Sequence, residues 1–190
     1  MSQSINNLKI ITERVLTKIN FEFFLFNTTD KQYIQIIDDG TRIKSLHTNC
    51  KWVCVSSSIG WNKGIHRWQI KSNSSKPGYN AVGVCTNYLK ATSAKALGKF
   101  GGSLYWDGYH GTIYRNDSTV VTSAEKWTTG DIIKITLNCN KWHVQFHKND
   151  KLIGNFEITK KNKIYYPCLQ MCACKGHDYQ LLHSQLHTSS

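Results

Sequence analysis

Between Trp127 and Phe156 apolar and polar residues take turns along the chain. Ile133, Ile135 and Leu137 alternate with Lys134, Thr136 and Asn138; beyond a polar turn, Trp142, Val144 and Phe146 alternate with His143, Gln145 and His147. A period of two sends one row of side chains into a core and the other into water. Asn149-Asp150 supplies a turn and Leu152 opens a third strand, so the pattern predicts an antiparallel meander.

The same reading extends in both directions. Leu8, Ile11, Val15 and Ile19 recur at spacings of three and four, which predicts an amphipathic helix in an N-terminal extension over residues 1–20. The apolar run Phe21 to Phe26 is a strand candidate at the start of a domain expected over 21–186, with a tail at 187–190. Further strands are expected at Tyr33 to Ile37, Trp52 to Val55, His66 to Lys71, Ala81 to Thr86, Leu104 to Trp106, Thr112 to Tyr114, Ile164 to Met171 and Asp178 to Leu182. Asn87 to Gly102 is the longest irregular stretch, and long loops on a rigid scaffold often carry function. Many short strands joined by glycine-bearing turns predict an all-β fold, an antiparallel β-sandwich.

Composition narrows the partners. The 190 residues carry a net charge of +12, and no Asp or Glu stands between Gly40 and Trp106. That span holds Arg42, Lys44, Lys51, Lys63, Arg67, Lys71, Lys76, Lys90, Lys95 and Lys99. Such a surface favours an acidic partner: a peptide, a nucleic acid or an anionic membrane. No apolar run approaches the ~20 residues of a membrane span, and no charged start leads into an apolar stretch, so a membrane partner and export are not expected. Seven cysteines, an odd number, then fit reduced thiols in the cytoplasm or nucleus.

Catalytic and metal chemistry find little footing. Cys168, Cys172, Cys174 and His177 lie close in sequence, but Cys168 and Cys172 fall along a predicted strand, and buried thiols account for them better than zinc does. Carboxylates are sparse, no nucleophile elbow occurs, and Gly98 to Gly102 lacks the phosphate-loop spacing. The expectation is a non-enzymatic chain without metal or cofactor. Trp52, Trp68, Trp106 and Trp142 are expected in strands, and Trp61, in a loop, is the best exposed candidate.

Gly64-Ile-His-Arg-Trp-Gln-Ile, Ala81-Val-Gly-Val, Leu104-Tyr-Trp-Asp-Gly, Trp127-x-x-Gly-Asp-x-Ile, Val144-x-Phe146-x-x-Asn149, Ile153-Gly154-x-x-Phe156 and Tyr166-Pro167 follow one another in order. This ordered set resembles the SPRY domain family, over about Tyr33 to His183. Within it the chain is most similar to the SPRY domains of SPRY/SOCS-box proteins, with an acidic-Gly turn at Asp39-Gly40 ahead of the G-x-H-x-W strand and a Y-P to G-H segment ending at Gly176-His177. It departs from them at Ser45 to Cys50, which has neither the Arg nor the Pro of their binding loop, and at Leu137-Asn138 and Asn149-Asp150, where they carry L-D and N-G. No SOCS box is expected after His183.

The resemblance implies a bent two-sheet sandwich that binds a protein partner through loops at one end. By position those loops are Lys44 to Cys50, including His47, Thr48 and Asn49, the stretch around Tyr88, and Lys175-Gly176-His177. Tyr88 would supply stacking area, Lys44 and Lys175 would meet carboxylates or phosphates, and Gly176 would admit a close backbone. The functional expectation is a non-catalytic protein-interaction module, an adaptor or the subunit of a larger assembly, with substrate recognition for a ubiquitin ligase among the roles such domains fill. The alternative is a basic nucleic-acid or ribonucleoprotein-binding subunit, driven by the acid-free span.

Overall fold

The computed structural model describes residues 26–27, 31–46, 51–75, 80–86, 102–116, 118–122, 124–172 and 176–187, of which 26–27 and 183–187 by backbone alone. The expected helix at Leu8 to Ile19 lies outside these residues. The described residues form fourteen strands: β1 (Phe26–Asn27), β2 (Ile34–Ile37), β3 (Arg42–Ser45), β4 (Trp52–Ser57), β5 (Ile65–Ser74), β6 (Asn80–Cys85), β7 (Leu104–Asp107), β8 (Thr112–Arg115), β9 (Ser118–Val121), β10 (Ile132–Asn138), β11 (His143–Lys148), β12 (Lys151–Glu157), β13 (Tyr166–Cys172) and β14 (Asp178–His187). They build two seven-stranded antiparallel sheets, in the orders β1-β4-β13-β6-β7-β8-β9 and β12-β11-β10-β5-β14-β3-β2.

The meander is where the alternation places it. Ile133, Ile135 and Leu137 of β10 face the core, and so do Val144 and Phe146 of β11, their cross-strand neighbours. In the same sheet Trp68 and Ile70 of β5 and Tyr179 of β14 extend this face, and from the other sheet Trp106 of β7 and Leu169 and Met171 of β13 fill the space between the two. A smaller cluster of Cys54, Ala81, Cys85, Tyr105 and Cys168 is buried separately from this core.

Two of the sequence landmarks have a visible mechanical role. In Trp127-x-x-Gly-Asp, Gly130 takes φ +92° so that the chain can turn, and the Asp131 carboxylate accepts the Thr128 N–H at 2.8 Å and the Asn149 amide at 2.7 Å. Asn149 in turn accepts the Ile132 N–H at 2.8 Å, which ties the β11–β12 turn to the start of β10. In Gly64-Ile-His-Arg-Trp, the Gly64 N–H donates to Asn140 Oδ1 at 3.0 Å and its carbonyl accepts from Cys139.

Several expectations change. β3 and β9 are strands beyond those predicted: Arg42-Ile-Lys-Ser holds one apolar residue and Ser118-Thr-Val-Val two adjacent ones, so neither shows an alternation. Trp142 belongs to the β10–β11 turn, at φ +56°, and is packed half-buried against the core. Cys139 in that turn is buried, and burial pushes its thiol up to about 12. Trp61 is not an exposed platform: an isolated bridge to Tyr165 pulls it inward, where it stacks on His66 at 4.2 Å between ring centres. β14 continues to His187, one residue beyond the expected domain end.

Candidate partner-binding site

Strand register decides which loops share an end. In one sheet Trp52 is opposite Cys172, Met171 opposite Asn80, and Ala81 opposite Asp107. In the other, Asp178 is opposite both Lys44 and Ser74. The connections β3–β4, β5–β6 and β13–β14 therefore cross between sheets at one end of the sandwich. Hydrogen bonds stitch this end together, among them Gly108 N–H to Asn80 C=O at 2.9 Å, Trp127 N–H to Gly108 C=O at 3.1 Å, and Gly130 N–H to Ser72 C=O at 2.7 Å.

The expected contact residues divide into three groups. Lys44 lies in β3 rather than in a loop, because Arg42 to Ser45 pair on both sides, and its ammonium stands 3.7 Å from the Asp178 carboxylate. Gly176, at φ +67°, turns the chain into β14. His177 differs from the expected outward contact, being only 1% exposed. Its N–H donates to Ser45 Oγ at 2.8 Å, its carbonyl accepts the Ser45 N–H at 2.9 Å, and its ring stacks on Tyr179. It pins the β13–β14 connection to the end of β3. His47, Thr48, Asn49, Tyr88 and Lys175 lie outside the described residues. The strand ends that bracket Tyr88, Cys85 and Leu104, stand at the end opposite Lys44 and Gly176.

The same end carries groups that the sequence did not single out. Leu46 and Tyr109 are large apolar side chains at 40% and 41% exposure. The Lys126 ammonium sits 5.8 Å from the Tyr109 ring centre, and Lys51 sits 5.1 Å from that of Tyr33. A hollow of about 200 Å³ opens between Ser75, Asn80, Gly108, Tyr109, Lys126 and Trp127. Its lining is an aromatic floor beside a cation, a chemistry that takes an apolar side chain flanked by an acidic one. Only the turn-like composition around Gly108 and Trp127 hints at it in sequence.

The basic residues also find a place. β5 turns His66, Trp68 and Ile70 inward, so Arg67 and Lys71 face outward with Arg42 and Lys44 of β3 and Lys134 of β10. Asp178 intervenes: it accepts a bidentate pair from Arg42, at 2.9 and 2.7 Å, and a bond from Asn73. Burial pushes the Asp178 carboxyl up, but Arg42, Asn73 and Lys44 outweigh it and hold the group below the usual carboxylate range. The span without acids in sequence is thus partly neutralised by a carboxylate from the far end of the chain.

Cys168, considered with Cys172, Cys174 and His177 for zinc, lies beside Cys54 and Cys85 instead, and burial, with those neighbouring thiols, raises its pKa. His177 is bonded within the β3–β14 corner, and Cys174 lies outside the described residues.

Two antiparallel seven-stranded sheets packed face to face, with three of their crossing connections at the Lys44 end, define an all-β sandwich. The chain belongs to the SPRY domain family, whose model matches residues 65–180. SPRY domains are protein–protein interaction modules. Among solved structures, the chain is similar to the SPRY domain of human HERC1, at 17% identity and TM-score 0.62, covering 85% of this chain and 98% of that one. It is similar to a human SPRY domain at 19% identity and TM-score 0.62, over 83% and 96%. The TRIM65 PSpry domain matches at 14% identity and TM-score 0.68, over 92% and 99%. These identities speak for the fold alone. No curated protein matches the chain.

Proposed function

We propose that this chain is a non-catalytic interaction module that takes a peptide or protein loop at the end bearing Lys44, Leu46, Tyr109 and Gly176, and serves as an adaptor or as a subunit of a larger assembly. The observation that supports it most is the exposed Leu46 and Tyr109 and the hollow over Trp127 at an end held rigid by inter-loop hydrogen bonds. An aromatic-lined hollow beside the Lys126 cation is what a short acidic-apolar peptide needs. His47, Thr48, Asn49, Tyr88 and Lys175 remain contact candidates by position in the family pattern.

The test is purification of the tagged full chain from its native cells, with and without nuclease. A protein partner that survives nuclease and is lost on combining Lys44→Glu, Tyr109→Ala and Lys175→Glu supports the reading. Partners that vanish with nuclease would transfer the role to nucleic acid.

A further inference from the structure

Away from the loop end, the outward face of β5, β10 and β11 carries a second feature. Register sets six side chains there in two rows of three: Arg67–Thr136–Gln145 and Gln69–Lys134–His147. The short Thr136 sits in the middle strand between two long neighbours, which is why it is only 7% exposed on a face that alternation assigns to water. It becomes a floor, the longer side chains become walls, and they enclose a cavity of about 280 Å³.

The walls are donors of positive or neutral character. Arg67 makes no ion pair among the described residues, and Lys134 pairs with Asp150, whose side chain is 83% exposed at the β11–β12 turn. His147 Nδ1 is buried with no hydrogen-bond partner among the described residues. Burial, and then the charges of Lys134 and Arg67 against the opposing pull of Asp150, lower the His147 pKa, so the ring stays neutral and donates without adding a third charge. Two cations held beside one cavity repel one another, and an anion between them removes that cost. Its size, just under the range of ordinary small-molecule pockets, suits a single compact anion rather than a nucleotide.

The geometry points to a phosphate-monoester site on this sheet face, with Arg67 and Lys134 clamping the phosphate and Thr136, Gln69, Gln145 and His147 completing its hydrogen bonds. A monoester offers three terminal oxygens and close to two negative charges near neutral pH, which matches two cations and several neutral donors better than a singly charged diester or carboxylate does. The phosphate is carried either by a phosphorylated side chain of a protein or by a small free molecule. The site stands apart from the loop end and does not depend on the reading of it.

The test is calorimetric titration of the full chain with O-phosphoserine. Saturable binding is expected, weakened about tenfold or more by Arg67→Gln and by Lys134→Gln. Lys63→Gln, in the β4–β5 connection, should leave it unchanged. Asp150→Asn should tighten binding, because it removes the carboxylate that competes for Lys134; a merely structural cluster would show no such opposite sign. Thermal melts establish that each variant is folded. A phosphoserine peptide that binds tighter than the free amino acid assigns the phosphate to a protein, and equal binding assigns it to a small molecule. Absence of saturable binding, or binding indifferent to Arg67→Gln, overturns the site. Tighter binding of an oligonucleotide without terminal phosphates also overturns it, in favour of a diester backbone.

Discussion

Asp178 is the residue on which the loop-bearing end turns. It accepts two bonds from Arg42 and one from Asn73, with Lys44 close by. Asp178→Asn should lower stability at pH 7 by about 1–2 kcal/mol, the scale of a charge-assisted pair that is partly open to solvent. The pH dependence has a definite sign. The folded-state pKa lies below the unfolded value, so the contribution is complete above about pH 4 and is lost as pH falls through the folded value. Urea unfolding across a pH series should therefore separate wild type from Asp178→Asn at pH 7, and the gap should narrow as pH falls below about 4. Gly111 makes a different point. It has φ +67°, and a Cβ there would stand 2.2 Å from the Ala124 carbonyl oxygen. Gly111→Ala should cost about 1–3 kcal/mol in a thermal or urea melt, from strain and close approach together.

Among the elements, the sequence was most legible where alternation ran for six or seven residues, as in β10 and β11, and least in β3 and β9, whose four residues show no alternation. β3 is the costly omission, because it moves Lys44 from a loop to a strand and places its ammonium beside Asp178. No local pattern announces that pairing: Arg42 and Asp178 are 136 residues apart and meet through sheet order alone. Asn149 reads in sequence only as part of a turn, whereas with Asp131 it acts as a fastener between strands. The outward rows of β5, β10 and β11 were visible as polar positions, but that Thr136 sinks between longer neighbours follows only from register. Trp61 shows the limit of reading a loop residue as exposed. The β4–β5 connection folds back so that Trp61 bridges to Tyr165 and stacks on His66. Trp61→Ala should therefore destabilise the domain by about 3–5 kcal/mol, as removal of a buried aromatic does, measured by urea unfolding. At temperatures where the variant is still folded, its partner affinity should be unchanged.

At the scale of the molecule, charge and shape separate two surfaces. One is the loop end, with Leu46, Tyr109, Lys44 and Lys126; the other is the outward sheet face around Thr136. The net charge of +12 acts on both, so association with an acidic partner should slow as salt rises. A complex anchored by Leu46 and Tyr109 should nevertheless persist at salt concentrations that release a purely electrostatic one. On the proposed function, partner recognition belongs to the loop end. Amide hydrogen exchange of the full chain, alone and with the partner it retains after nuclease treatment, tests this most directly. Protection is predicted for the amides of Leu46, Ser75, Gly108 to Gly111, Lys126 to Thr128, and Gly176-His177. Protection confined to the opposite end, at Ser58 to Gly64 and Cys139 to Trp142, would contradict it.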